Sequence, residues 1–247
     1  MKSKYNVVVI GAGCIGTSVA SHLAEMGCSN VLVLEKEKMI GSGSTAKCAG
    51  GVRAQFSTPV NIQMSHFSIR EFEVLDKEYG IQFNQCGYLF VLRNEEQKVR
   101  YLKNLELQKS QGVDVRFISP EEIAKLAPNY GLHNCLGGTF GAKDGLIDPA
   151  MTVDAYFKRA RKHQIEFETE TTCSGIKTSG KRVTHVSTSK GDVACDFVVN
   201  AMGPFAGEFG AMAGVEIPID PVRRMITTTG DLDFVTDKFP MVVDVTT

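Results

Sequence analysis

The sequence predicts an α/β protein built on a parallel sheet, with a second, mostly antiparallel-sheet domain inserted into it. Three observations carry this expectation. Val7–Ile10 and Val31–Leu34 are short unbroken apolar runs, the pattern of central strands buried on both faces. Between them, Gly11-x-Gly13-x-x-Gly16 opens a stretch in which Val19, Leu23 and Met26 recur at helical spacing, with Gly27 placed to end it. Residues 82–140, in contrast, read as helices and hairpin-like strands of a different texture from their flanks.

Taken in order, residues 1–35 form one βαβ unit, with the helix expected from Thr17 to about Met26. Met39 to Gly51 is a Gly/Ser/Thr-rich loop, too long for a casual connector. A helix follows from Thr58 to Tyr79, with Pro59 in its first turn. Gly87–Leu92 reads as a strand, and Asn94 caps a charged, solvated helix to Lys109. Val113–Ile118 is strand-like, and Ser119-Pro120-Glu121-Glu122 is a capping box. Asp148-Pro149 opens a helix to His163, with Asp148 as its cap. Strands are expected at Ile165–Glu168, Thr171–Lys177, Arg182–Ser187 and Val193–Val199, and again from Met241 to Thr247.

Composition removes whole classes of function. With 27 Lys+Arg against 28 Asp+Glu the net charge is −1, so no global field draws nucleic acid or an anionic membrane. No apolar run is long enough to span a bilayer. Lys2 and Lys4 before an apolar stretch imitate a signal peptide, but Gly11, Gly13 and Gly16 break the segment that would have to be helical. Seven cysteines without a C-x-x-C pair argue against a structural zinc site or a disulfide framework, and for a reducing, cytoplasmic setting. The five histidines show no ligand spacing.

The glycine motif carries the chemistry. Lying between a buried strand and a helix, it has the context of a Rossmann-type dinucleotide fingerprint. Gly11 permits the tight turn, Gly13 lets backbone approach a pyrophosphate, and Gly16 lets the helix pack close to the strand. Glu35, nineteen residues beyond Gly16 at the end of the second strand, is placed to accept the ribose hydroxyls and would repel a 2′-phosphate, which argues against NADP. The fingerprint alone leaves FAD and NAD open.

The following loop narrows the choice. Gly43-Ser44-Thr45 and Gly50-Gly51-Val52-Arg53-Ala54-Gln55-Phe56, then Gly145-Leu146-Ile147-Asp148-Pro149, Asn200-Ala201-Met202-Gly203-Pro204-Phe205-Ala206 and Pro221-Val222-Arg223-Arg224 stand in an order spanning the chain. In these segments it resembles the FAD-dependent amine and amino-acid oxidase superfamily that includes D-amino-acid oxidase, glycine oxidase and sarcosine oxidase. It is most similar to sarcosine oxidase beta subunits and related imino-acid dehydrogenases. The resemblance implies FAD, held by Gly11, Gly13, Ile15, Gly16, Glu35, Lys36, Ser44, Thr45, Lys47, Cys173 (through its backbone), Ala201 and Gly203. It makes Arg53 the catalytic-site arginine that grips a substrate carboxylate, a task suited to a permanently charged, two-pronged guanidinium. A surface or ion-paired arginine is the bland alternative. Cys48 reads as an inert thiol rather than a flavin attachment point.

The resemblance further implies an FAD-binding domain at 1–81 and 141–217 and an incomplete substrate domain at 82–140 and 218–247. Members of the superfamily continue beyond this point, so the chain is expected to be a fragment. The implied reaction is oxidation of the C–N bond of a small amino or imino acid, sarcosine-, glycine- or proline-like, with hydride passing from carbon to flavin and electrons onward to oxygen, a quinone or another subunit. Two rivals stand beside it: a non-catalytic flavin-carrying or assembly subunit in a hetero-oligomer, and an NAD-dependent dehydrogenase, which the Gly43–Phe56 loop disfavours.

Overall fold

A computed structural model describes residues 1–245; Thr246 and Thr247, the end of the expected last strand, lie outside the described residues. The elements in chain order are β1 (Lys4–Ile10), α1 (Cys14–Glu25), β2 (Val31–Leu34), a 3-10 turn at Thr45–Lys47, β3 (Gly51–Val52), α2 (Pro59–Tyr79), β4 (Tyr88–Leu92), α3 (Glu95–Ser110), β5 (Val115–Ile118), α4 (Pro120–Leu126), β6 (Gly137–Gly141) and β7 (Gly145–Leu146). They continue with α5 (Pro149–Lys162), β8 (Glu166–Glu168), β9 (Cys173–Ser179), β10 (Arg182–Thr188), β11 (Gly191–Asn200), a 3-10 turn at Gly203–Phe205, α6 (Ala206–Met212) and β12 (Met241–Asp244).

The chain divides into two compact units. The first comprises Met1–Cys48 and Pro149–Ile226, and the second comprises Ala49–Asp148 and Thr227 onward. In the first unit a six-stranded sheet runs β8-β2-β1-β11-β10-β9. Its first four strands are parallel neighbours, and β10 and β9 continue it antiparallel. β1 is buried on both faces, as its apolar run requires. Val8 and Ile10 pack with Leu32, Leu34, Val186 and Phe209, while Val7 and Val9 pack on the other face with Ala20 and Ala24 of α1 and Ala160 of α5.

The second unit holds a four-stranded sheet in the order β12-β4-β6-β5, antiparallel except for the β12–β4 pair, and a short antiparallel ribbon of β3 with β7. Its core has two parts. Ile62 and Ile69 of α2 join Leu105, Val113 and Val115, while Leu89, Val91 and Phe140 meet Ile118 and Ile123. α2 therefore packs within the second unit, although the sequence boundary at residue 81 groups it with the first.

The local expectations for Thr58–Pro59, Asn94 and Ser119–Glu122 are met. Pro59 begins α2, Asn94 accepts a bond from the Gln97 N–H, and the capping box at Ser119 and Glu122 closes in both directions. α1 departs from expectation by starting at Cys14, so that Gly16 lies inside the helix. β6 and α6 were not anticipated. Three of the five residues in β6 are glycine, a composition that disfavours strands in isolation. There the absence of side chains is what permits pairing, because a Cβ on Gly138 would stand 2.6 Å from the Phe90 carbonyl oxygen. Among the described residues no helix is long and apolar enough to cross a membrane.

Candidate functional site

The first candidate site is the turn between β1 and α1. Gly11 has φ +99°, a conformation that favours glycine, and a Cβ there would overlap the carbonyl oxygen of Ala201. Gly16 is equally constrained, since a Cβ would overlap the Gly11 carbonyl oxygen. These two glycines are demanded by the protein's own packing. Gly13 is different. Its φ of −75° and ψ of −174° suit any residue, and an added Cβ would meet only the Thr45 hydroxyl, at 3.2 Å. The backbone does not require glycine there, packing asks only that the Thr45 side chain give by a few tenths of an ångström, and the open side is a cradle that a side chain would fill. Gly13 is also the N-cap of α1 and offers no side chain to cap it, and the first turn holds no acidic residue. Such a helix start, with N–H groups outward, suits a phosphate.

Other residues close around this turn. The Thr45 hydroxyl accepts from the Cys14 N–H at 3.1 Å, which ties the loop after β2 to the start of α1. The Ala201 N–H donates to the Ile10 carbonyl at 2.9 Å. The Glu35 carboxylate accepts the Ala12 N–H at 2.9 Å with one oxygen and the Glu37 N–H at 3.0 Å with the other. It thus fixes the glycine turn and still has lone pairs for a ribose. Thr171 N–H donates to the Glu35 carbonyl at 2.8 Å, which brings the approach to β9 and Cys173 beside Glu35. Cys173 itself is buried in the sheet core, where burial raises its thiol pKa, so only its backbone can serve a ligand. Lys36 lies over the Phe205 ring at 4.3 Å. Ile15, Ser44, Lys47 and Gly203 are exposed around the turn and its loop.

Arg53 builds a second site, wholly within the second unit. β3 pairs with β7 in a register that sets Gly51 opposite Leu146 and Val52 opposite Gly145, so Arg53 leaves the ribbon level with Asp144. Its guanidinium carbon lies 4.9 Å from the Phe56 ring centre, 5.1 Å from Phe90 and 5.7 Å from Tyr88, distances at which a cation is held by ring faces. Among the described residues the guanidinium has no hydrogen-bond partner, so its donor fork is open. Beneath it, Asp144 is 1% exposed and accepts from the Ala54 N–H at 2.9 Å and from Gln55 Nε2 at 3.1 Å. Burial pushes its pKa up to about 6, against the opposing pull of those two donors and of Arg53. Burial also raises the Tyr88 phenol, which Arg53 partly offsets. Gly51 leaves room for that phenol, since a Cβ there would stand 2.7 Å from the Tyr88 hydroxyl.

Sequence reasoning singled out Arg53 but not Tyr88, Phe90, Gln55 or Asp144. The available signal was Asp144, an acidic residue directly before the Gly145–Pro149 segment.

The model of the family described as DAO, FAD dependent oxidoreductase, matches residues 6–246. Rat mitochondrial dimethylglycine dehydrogenase is 30% identical over 234 residues, covering 94% of this chain and 27% of that protein. The mouse mitochondrial pyruvate dehydrogenase phosphatase regulatory subunit is 29% identical over 215 residues, covering 85% and 24% respectively. The chain spans about a quarter of the length of these curated relatives. The crystal structure of L-proline dehydrogenase from P. horikoshii superposes with a TM-score of 0.88 at 30% identity, covering 100% of this chain and 66% of that one. With its motifs, its fold and a family match over nearly its whole length in agreement, the chain belongs to the FAD-dependent oxidoreductase family.

Proposed function

We propose that the chain binds FAD at the β1–α1 turn and, with Arg53, takes part in oxidising the C–N bond of a small amino or imino acid. Gly13 is the observation that carries the cofactor assignment: a glycine whose backbone any residue could adopt, at a helix start where it offers no capping side chain of its own and where a pyrophosphate would lie. Ile15, Gly16, Ser44, Thr45 and Lys47 border the same turn, Glu35 and Lys36 suit the adenosine side, and the Cys173 backbone, Ala201 and Gly203 complete the set. FAD, when bound, supplies a two-electron acceptor for the hydride released from the carbon next to nitrogen.

The chain's own contribution to substrate is the Arg53 fork. Its charge is permanent, its guanidinium is flanked by three rings, and its donors are open, which suits two parallel bonds to a carboxylate. Dimethylglycine and proline, named in two of the relatives, are N-substituted α-amino acids, and the proposed substrate class follows them. Oxygen, a quinone or another subunit takes the electrons. The seven unpaired thiols suit a reducing compartment such as the cytoplasm.

A second reading, a flavin-carrying or assembly subunit of a hetero-oligomer, is favoured by the likeness to a regulatory subunit. One experiment tests both. The purified protein is examined for a visible flavin spectrum, then mixed anaerobically with sarcosine, dimethylglycine or proline. Bleaching of the flavin by one of them supports the oxidative reading. Bound flavin that none of them bleaches supports the second, and absence of flavin overturns both.

A further inference from the structure

We infer that Asp144 is the positioning residue for Arg53, a clamp that fixes the guanidinium and the ring beneath it from one buried carboxylate. The inference rests on Arg53 being the carboxylate-binding cation. Asp144 Oδ1 takes the N–H of Ala54, the residue next to Arg53, while Oδ2 takes Gln55 Nε2. The second hydrogen of Gln55 Nε2 goes to the Tyr88 carbonyl oxygen at 2.8 Å. Gln55 therefore ties the Arg53 segment to the start of β4, where Tyr88 and Phe90 present the faces that hold the cation, and Asp144 holds both Gln55 and the neighbouring Ala54 in place.

The arrangement bears the marks of retained geometry rather than filler. Both groups facing the Gln55 amide nitrogen are acceptors, so the amide has one permitted orientation, and this leaves Gln55 Oε1 buried without a partner. An apolar pair would fill the same space without that orphaned acceptor or a buried charge. The fit is also tight, since a Cβ on Gly141 would stand 2.5 Å from Asp144 Oδ2.

Arg53 and Tyr88 interact electrostatically with Asp144. His66, Arg70, Glu73, Asp114 and Lys143 share with Asp144 the lining of a cavity of about 120 Å³. Protonation of Asp144 as the pH falls through about 6 would put a proton where the clamp needs an acceptor, so the hold on Arg53 loosens there.

The test uses the flavin-loaded protein and three variants, Asp144→Asn, Gln55→Leu and Arg53→Met. Binding of acetate, a carboxylate with no C–N bond to oxidise, is measured by titration calorimetry, alongside KM and kcat for dimethylglycine. Asn at 144 can still accept from Ala54 but turns a donor toward Gln55 Nε2; Leu at 55 removes the link to Tyr88. Both should weaken acetate binding and raise KM by roughly tenfold or more, with kcat changed far less and flavin content unchanged. Wild-type affinity should fall as the pH drops through about 6, and Asp144→Asn should lack that inflection. If Arg53→Met binds acetate as wild type does, the reading of Arg53 itself fails. If Arg53→Met loses acetate while Asp144→Asn and Gln55→Leu keep it, the clamp is overturned. Should Asp144→Asn not fold, Gln55→Leu decides the matter alone.

Discussion

The turn after β1 and the nest around Arg53 reach fixed geometry by opposite means. The turn is made of backbone. Two glycines are pinned by carbonyl oxygens that leave no room for a side chain, and a third is left open at a helix start. The nest is made of side chains drawn from β4, the ribbon and the loops beside it, held by one buried carboxylate. The difference teaches where tolerance lies. A backbone site fails outright when a Cβ is added at the wrong place, whereas a side-chain nest degrades by steps as its supports are removed.

The largest expected effects come from adding side chains to the turn, and they should split by position. Gly16→Val forces overlap with the Gly11 carbonyl, so the protein should lose its cooperative thermal transition and its flavin together. Gly13→Val should melt much closer to wild type than Gly16→Val yet carry no flavin, because within the protein its Cβ meets only the Thr45 side chain. A flavin-replete Gly13→Val protein would sink the cofactor assignment. Next in size, Arg53→Met should lose about 3 kcal/mol of transition-state stabilisation, two or more orders of magnitude in kcat/KM, with flavin content intact. Arg53→Lys should be impaired but better than Met, since it keeps charge without the fork. Equal kcat/KM in all three proteins would mean that the nest does not bind substrate.

Asp144 sharpens the contrast through pH. Its folded pKa, about 6, lies above the ordinary 3.8, so the stability it contributes is full below pH 4 and is lost as the pH rises through about 6. Relative to Asp144→Asn, wild type should therefore lose up to about 3 kcal/mol of unfolding free energy between pH 4 and 7, taking about 1.4 kcal/mol per pH unit. A pH-independent difference in denaturant titrations would contradict the buried, charged carboxylate. The smallest effect is expected at Glu35. Removing its charge-assisted bonds in Glu35→Ala should cost about 1.5–3 kcal/mol of FAD affinity, ten- to hundredfold. Because the same carboxylate holds the Ala12 N–H, Glu35→Gln should recover part of that loss by restoring an acceptor. An unchanged dissociation constant in Glu35→Ala would demote the residue to a surface carboxylate.

Legibility in the sequence followed the same divide. The turn could be read because its logic is local. An apolar run, three glycines and a carboxylate at the next strand end fall within residues 7–35, and β1 and β2 formed where those runs lie. Ser119 and Glu122 were equally readable, since a capping box closes over three residues. β6 was not, because three glycines in five residues carry no strand signal until Phe90, Leu89 and Ile123 are packed against them. Nor was the Arg53 nest. Ala54 and Asp144 are 90 positions apart, and only the β3–β7 register brings their segments level. Nothing local marks Asp144 as buried, because its partners are a backbone N–H and an amide that any loop could supply. The resemblance located Arg53, but the rings and carboxylate that hold it emerged from tertiary structure.

The alternation of the two units along the chain has a consequence for biogenesis. The polypeptide passes from one unit to the other three times, at 48/49, 148/149 and 226/227, so neither is a contiguous stretch of message. During synthesis β1 and β2 leave the ribosome well before β11, their parallel neighbour, and all of 49–148 emerges in between. The second unit gains its β12 edge only after the first unit's strands are made, when β12 pairs with β4 and Asp244 reaches Arg93 across 151 positions. Until then β4 presents an unpaired edge, a template for wrong pairing. A nascent chain with this layout should depend more on chaperones than two consecutive domains of equal size, because the loops that must close are long and their closure comes late.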